Sequence, residues 1–554
     1  MFVRVKNKSN GKQSIQIVES CRRGDKVSQK IVRHVGQASN EREMEELKRL
    51  ARSIIAELEN ARQPVLPFLP PEKVYDFEKS RQKADDSVHM SALREEQRIV
   101  VGIGDVFGKL YRDLSFDQII SGTKKDKQWN AILKTCVLAR VANPVSKRET
   151  ASYLERDYGI KVPLEKIYRM IDHVAEQEDK IKKTISNTTL NLFDQKVDVL
   201  FFDVTTLYFE SAKQDELKDF GFSKDCKFKE VQIVLSLVTT TSGMPIAYEI
   251  FPGNMYEGHT LIEMVKKLRK DYSISNVMLV ADRGMFNEDN LVLMEKENIK
   301  YIVAAKLKSM GKEIKNSILE DNGYRTTLVS KELHWVKELK YKSRRLIVSY
   351  STKRARKDSS DRQRLIDRLM KKVKNGKIKI KDIIPNYGTK KYLKVTRGEA
   401  CVDRSKIAQD AKWDGLHGII TNVNKKSAQE LLGRYRGLWQ IEEAFRVNKH
   451  NLKMRPIYHW TPQRIRGHVA ICFLAYALIK QAMYRIEQQQ TKMSLEQIRN
   501  ELLHAQSSLL VDIETKKKYL LPSKVTVNQR KIYQVFGLKR SEVPEEYLRI
   551  TPNP

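Results

Sequence analysis

Two apolar runs, each ending in an aspartate, constrain the fold more than any other feature of this chain. Val197-Asp198-Val199-Leu200-Phe201-Phe202 reads as a mostly apolar strand that stops at Asp203, followed by Val204-Thr205-Thr206-Leu207-Tyr208-Phe209. Asn276 to Ala281 repeats the pattern and stops at Asp282, inside Ala-Asp-Arg-Gly. Between them lie two further strands, Glu230 to Thr240 and Met244 to Phe251, with Ser242-Gly243 at hairpin distance. The loop Gly253 to Thr260 and a helix over Leu261 to Lys270 follow. A helix from Asn287 to Glu297 and a strand from Tyr301 to Ala305 complete the block. This order predicts a mixed sheet covered by helices. Strand ends are where α/β sheets commonly place their chemistry. A single aspartate there is often a turn or cap residue; two on neighbouring strands is a rarer coincidence.

The stretch Arg434 to Arg455, RYRGLWQIEEAFRVNKHNLKMR, predicts a helix with two stripes. Leu438, Ile441, Phe445 and Leu452 have the spacing of a buried face. Tyr435, Trp439, Glu442, Arg446, Lys449 and Lys453 form a second stripe, about 90° round from the first at roughly 100° per residue. Glu442 therefore lies near a seam between core and surface, among Arg434, Arg436, Arg446, Lys449, Lys453 and Arg455. A carboxylate in a basic groove suits a metal ion that must touch phosphate. An amphipathic helix laced with ion pairs fits the same stretch.

Charge narrows the partner. Lys plus Arg number 103 against 69 Asp plus Glu, a net charge of +34 spread along all 554 residues. Such an excess destabilises a compact protein unless a polyanion is the usual partner, and nucleic acid is the obvious one. The start, MFVRVKNKSNGKQ, has no apolar core of a signal peptide. The apolar run Val469 to Ile479 is too short to span a bilayer and reads as a buried helix. The cysteines, Cys21, Cys136, Cys226, Cys401 and Cys472, are isolated, which argues against zinc fingers and disulfide frameworks. A reduced, cytoplasmic, nucleoid-associated protein is expected.

The remaining segments give a multidomain α/β reading. Residues 1–63 form a small basic three-stranded meander, with turns at Asn10-Gly11 and Arg23-Gly24-Asp25, plus a helix over Glu41 to Ala61. The meander suits either a module that binds DNA ends or an accessory sheet. Residues 64–87, opening with four prolines between Pro64 and Pro71, are a linker. Residues 88–196 read as a helical DNA-binding region with a basic side. The core occupies 197–305 and resumes over 421–490, and 491–554 reads as a helical tail. Residues 306–420 read as an inserted, mostly β domain, with strands at Tyr324 to Val329, Leu333 to Leu339, Leu346 to Tyr350, Tyr392 to Thr396 and Leu416 to Thr421. A Lys- and Arg-rich helix, Thr352 to Lys374, and a basic connection, Lys371 to Lys381, interrupt them. Trp335 in this insertion suits stacking on a flipped base or, more simply, a place in the core.

Three separated carboxylates imply a chemistry. Phosphodiester cleavage needs charge neutralised on the attacking and leaving oxygens, which two Mg²⁺ ions about 3.5–4 Å apart achieve. Mg²⁺ is held by a few carboxylates and keeps water and substrate oxygens as its other ligands. Asp203, Asp282 and Glu442, separated by 79 and then 160 residues, supply such a set. Lys449, seven residues beyond Glu442, is placed to hold a phosphate near the metals.

At this point the chain resembles bacterial insertion-sequence transposases of the DDE type, in the branch with a β-rich insertion between the second Asp and the Glu. That branch carries the helix signature Tyr-x2-Arg-x3-Glu-x6-Lys, matched here by Tyr435, Glu442 and Lys449. The signature's Arg position holds Leu438, so Arg436 or Arg446 is the expected substitute for its phosphate contact. The strings FFDVTTLYFES, FPGNMYEGHTL and ADRGMFN are also similar to this family, and the resemblance spans nearly the whole chain. It implies a ribonuclease-H-like core, with Asp203, Asp282 and Glu442 as catalytic metal ligands. Two Mg²⁺ ions are implied, for which Mn²⁺ could substitute. Tyr435, Arg436, Arg446, Lys449, Arg283 and Arg455 are the implied phosphate contacts, and Trp335 is the candidate to brace a flipped base.

The activity implied is cut-and-paste transposition: nicking at terminal inverted repeats, hairpin formation by the freed 3′-OH, reopening, and attack on target DNA. The partners implied are double-stranded DNA and a second copy of the chain. A catalytically silent DNA-binding derivative and a structure-specific nuclease on the same core are the alternatives. A serine or tyrosine recombinase is disfavoured, because nothing here needs a covalent protein–DNA link.

Overall fold

The computed structural model describes residues 1–7, 13–23, 26–38, 41–62, 88–192, 198–222, 229–272, 278–285, 287–374, 391–396, 399–490 and 492–547. The proline linker, the turns of the meander and most of the basic connection lie outside the described residues. The chain divides into two compact units, Met1–Met170 with Ala482–Pro554, and Ile171–Gln481.

The first unit opens with β1 (Phe2–Asn7), β2 (Gln13–Arg23) and β3 (Lys26–Ala38), an antiparallel meander in the expected order. α1 (Glu41–Arg62) lies on it and closes a small core of Ile15, Ile17, Ala38 and Ala51. β4 (Leu93–Val100) comes next, followed by α2 (Gly102–Asp113), α3 (Lys124–Ala142), α4 (Lys147–Tyr158) and α5 (Leu164–Glu176), which runs into the second unit, to which α6 (Glu178–Leu192) belongs.

The second unit is organised by β5 (Val199–Tyr208), β6 (Gln232–Thr240), β7 (Pro245–Pro252), α7 (Glu257–Tyr272), β8 (Met278–Ala281), α8 (Glu288–Lys296) and β9 (Lys300–Ala304). α9 (Lys312–Leu319), β10 (Arg325–Val329), β11 (Glu332–Tyr341), β12 (Arg344–Tyr350) and α10 (Thr352–Lys374) continue it. Then come β13 (Leu393–Thr396), β14 (Glu399–Val402), α11 (Arg404–Ala411), β15 (Leu416–Thr421), α12 (Ala428–Arg436), α13 (Trp439–Arg446) and α14 (Pro462–Gln488). The chain closes with α15 (Leu495–His504), β16 (Gln506–Asp512), β17 (Lys518–Pro522), α16 (Val527–Val535) and β18 (Glu545–Glu546).

One nine-stranded sheet runs through the second unit in the order β10-β11-β12-β15-β9-β8-β5-β6-β7. β5 pairs antiparallel with β6 and parallel with β8, and β8 pairs parallel with β9. The apolar runs of β5, β8 and β9 are buried almost throughout, as strands with layers on both faces must be. Alternation along β5 sends Leu200, Phe202 and Val204 into a core shared with Leu261 and Met264 of α7, Leu291 and Met294 of α8 and Ile318 of α9. α13 packs against β5 and β6, and a Cβ on Gly437, just before it, would come within 2.5 Å of the Phe201 ring. Phe201 alternates with the core residues of β5, so α13 covers the opposite face.

The structure departs from the sequence reading in three places. The strands expected as a separate β insertion extend the core sheet instead. β15 pairs with β9 and β12, and Leu346, Val348 and Ile420 join the same core as Phe202. The edge of β9 is thereby covered rather than left as an open template; only β13 and β14 pair apart from it. β5 runs on to Tyr208, so Asp203 sits in the middle of a strand and not at its end. The tail expected to be helical contributes β16, β17 and β18, which form a four-stranded sheet with β4, a strand in the region expected to be helical. The charged alternation of β4, LREEQRIV, carries no apolar period, and its partner β16 is about 400 residues away in sequence. The apolar run Val469 to Ile479, by contrast, lies as expected in a buried helix: α14 is long and apolar enough to cross a membrane by length and composition, and 78% of its most apolar window is buried inside the molecule.

Candidate active site

Strand register builds the site. β5 and β8 run parallel with Phe202 opposite Ala281, so the next position on each chain is Asp203 and Asp282. Neighbouring strands lie roughly 4.8 Å apart, and residues at one register share a face. Asp203 is two residues from Phe201 and so shares the face covered by α13. Its Oδ1 accepts the Val204 N–H at 2.7 Å. Asp282 lies one residue past β8 and is exposed, followed by the short turn Arg283–Met285 with Arg283 also exposed.

The expected single helix over 434–455 is three pieces. α12 ends at Arg436, Gly437 and Leu438 form a junction, α13 carries Glu442, and a π-helical turn, Val447–Asn451, carries Lys449. Glycine at position 437 is required by this packing, because a Cβ there would come within 2.5 Å of the Phe201 ring. Wide turns of this kind recur at functional positions in helices. The predicted apolar stripe is nonetheless buried: Leu438, Ile441, Phe445 and Leu452 are at most 7% exposed. Glu442 is exposed on the other side of α13.

The predicted phosphate contacts divide. Tyr435 on α12 donates its hydroxyl to Asp282 Oδ1 at 3.3 Å. Burial, reinforced by the Asp282 charge, pushes its pKa up, so it stays a donor. Arg455 places its guanidinium 5.7 Å from the centre of the Tyr208 ring, against the far end of β5. Arg436 is turned away from the role expected of it. It donates to the Val329 carbonyl at 2.6 Å and to Glu332 at 2.9 Å, and it contacts His334, tying α12 to the β10–β11 turn. Arg446 forms a double contact with Glu443 at 2.6 and 2.7 Å. Both substitutes for the missing signature Arg are therefore committed elsewhere. Trp335 on β11 is partly buried and packs edge-on against Tyr350 of β12, with ring centres 5.7 Å apart.

Two residues that no sequence pattern marked join the site. His417 on β15 lies against Tyr435, with ring centres 4.9 Å apart. Burial, then the charges of Arg354 and Arg283, push the His417 pKa down to about 4 despite the opposing pull of Asp282. Arg354 belongs to the first turn of α10 and acts on both His417 and Tyr435. His417 stood in an expected strand and Arg354 in an expected basic helix; only the packing of β15 against α10 and α12 reveals their company.

The donor set suits a hard divalent cation, with carboxylate oxygens at adjacent register on one face and a third carboxylate on the helix covering that face. Among the described residues, no three carboxylate, imidazole or thiol groups already converge at metal-binding spacing. Asp203 and Asp282 thus stand at adjacent register on one face, and Glu442 is exposed on the helix packed over that face.

Comparison with known proteins assigns the chain to a family. A family model described as the transposase DDE domain matches residues 194–478, and the chain belongs to the DDE transposases. More particularly, residues 2–65 match the N-terminal domain of IS1634 family transposases, which marks it as a bacterial insertion-sequence transposase. No curated protein matches the chain. Among solved structures, the piggyBac transposase synaptic complex with hairpin DNA is similar at 10% identity and a TM-score of 0.35, covering 73% of this chain and 76% of that one. The Mos1 transposase paired-end complex is similar at 13% identity and a TM-score of 0.15, covering 31% of this chain and 57% of that one. Neither score carries an argument about shared structure.

Proposed function

We propose that this transposase cuts DNA at the terminal inverted repeats of its element and joins the freed 3′-OH ends to target DNA, with Asp203, Asp282 and Glu442 holding two divalent metal ions. The observation that carries the reading is the common register of Asp203 and Asp282 on parallel strands beneath the helix that bears Glu442. The sheet order β7-β6-β5-β8-β9, antiparallel then parallel, supports reading the core as ribonuclease-H-like.

Magnesium, or manganese in its place, would polarise the scissile phosphate and activate the attacking oxygen. The chain's own residues do the rest. The Tyr435 hydroxyl fixes one oxygen of Asp282 and leaves the other for the cation. Lys449 and Arg283 offer positive charge to the DNA backbone. Asp203 is held by β5, whose neighbours on both sides are paired, so its position does not depend on a loop. Two finer readings, passage through hairpin ends and synapsis by a homodimer in the bacterial cytoplasm, rest on the family resemblance.

Excision from a donor plasmid tests the assignment. The wild type is expected to excise a segment bracketed by the DNA flanking the gene, and Asp203→Asn is expected to excise none; equal behaviour would remove Asp203 from the site. Joining of a pre-cleaved 3′-OH end to a target plasmid separates a transposase from a nuclease on the same core, which would cleave without joining.

A further inference from the structure

We propose that Arg354, on the first turn of α10, together with Arg283, binds the phosphodiester of the DNA strand being cut, and so supplies the guanidinium contact absent at Leu438. The inference rests on the reading of Asp282 as part of a DNA-cleaving site.

Four observations place Arg354 there. The start of α10 is locked onto the turn that leads into β15: Gly415 has φ of +80°, and a Cβ on it would come within 2.8 Å of Ala355. The Gly415 N–H donates to Asp358 at 3.0 Å and the Ser351 N–H to the Gly415 carbonyl at 3.1 Å. One turn further along α10, Arg362 grips Asp414 through both guanidinium nitrogens. Glu332 ties the same turn to α12, accepting from Lys353 and from Arg436, each at 2.9 Å. Arg354 is thus carried by a fixed element whose next residue, Ala355, lies against Gly415, two residues before His417; its charge is felt at His417 and Tyr435.

Its charge is available. Its one ion pair among the described residues is a long 3.8 Å contact to Asp358, and its side chain is 48% exposed. Arg283 is exposed and has no ion pair among the described residues. By contrast, Arg436 and Arg446 are committed to Glu332 and Glu443. Two guanidinium groups that both act on His417, neither held in a close ion pair among the described residues, attract a further anion, and their fork geometry matches a phosphodiester.

The test compares full-length wild type, Arg354→Ala, Arg354→Lys and Arg283→Ala, all checked for an unchanged thermal midpoint. For binding to a short duplex of arbitrary sequence, the slope of log affinity against log salt is expected to shrink by about 0.9 for each lost phosphate contact. Arg354→Lys should keep the wild-type slope. Cleavage of plasmid carrying the flanking DNA is expected to fall roughly tenfold to hundredfold in Arg354→Ala, with partial recovery in Arg354→Lys. An Arg354→Ala protein with wild-type slope and wild-type cleavage would overturn the inference. So would equal losses in Ala and Lys variants accompanied by a fall in thermal midpoint. If the wild type binds but does not cleave, the proposed function fails while the slope still decides for or against Arg354.

Discussion

Glu442 and Glu443 are neighbours on α13 with different surroundings. Glu443 is paired with Arg446 in an exposed contact, of the kind that contributes at most about 1 kcal/mol. Glu442 is exposed on the same helix and is the candidate ligand. Glu442→Gln is therefore expected to abolish cleavage, and Glu443→Gln to leave it within a few fold of wild type; the reverse pattern would shift the site by one residue. His417 allows a pH prediction. Its pKa is lowered from 6.5 to about 4 in the fold, so between those values the unfolded chain binds the proton and the folded chain does not. Stability is then lost as the pH falls from about 6.5 towards 4. Thermal midpoints measured in chelator should fall more steeply over that window for wild type than for His417→Asn, and parallel curves would contradict the assignment. At this scale the shared register of Asp203 and Asp282 was legible because each follows an apolar run. His417 and Arg354 were not, because their meaning lies in other elements: Tyr435, Arg354 and Asp282 stand 18, 63 and 135 residues from His417 in sequence.

The helices and strands were largely legible where their apolar period is strong, as in β5, β8, α7 and α10. What periodicity does not mark is an interruption that preserves the period. Leu438, Ile441 and Phe445 keep a helical rhythm across the Gly437 junction, so the break between α12 and α13 is silent in sequence while their burial is not. The close approach of Gly437 to Phe201 gives this junction a test. Gly437→Ala should destabilise the protein by about 1–3 kcal/mol through overpacking and slow cleavage by moving α13 off β5. Gly433→Ala, in α12 with nothing within 4 Å of the added methyl, is the control and should be neutral or stabilising. Equal midpoints for the two variants would show that the junction does not hold α13. Sheet membership was the other blind spot. The strands of 306–420 have correct local signals, but which edge they join is decided by the exposed side of β9.

For the whole molecule, the net charge of +34 speaks to its partner and not to its fold. Affinity for duplex DNA is expected to fall by about a thousandfold or more between about 50 and 200 mM salt, as for a protein making many phosphate contacts. A change below tenfold, measured by fluorescence anisotropy, would mean that the excess charge serves another purpose. The return of the C-terminal residues to pair β16 with β4 also belongs to this scale, since only the folded chain brings those segments together.

The central claim is that Asp203, Asp282 and Glu442 share one metal-binding site. Replacing magnesium with ferrous iron, adding ascorbate and peroxide, and mapping the protein backbone cuts tests it without depending on transposition. Cuts are predicted near all three residues, lost together in excess Mg²⁺ and lost together in Asp203→Asn. Cuts near only one of the three, or cuts that persist unchanged in Asp203→Asn, would contradict it.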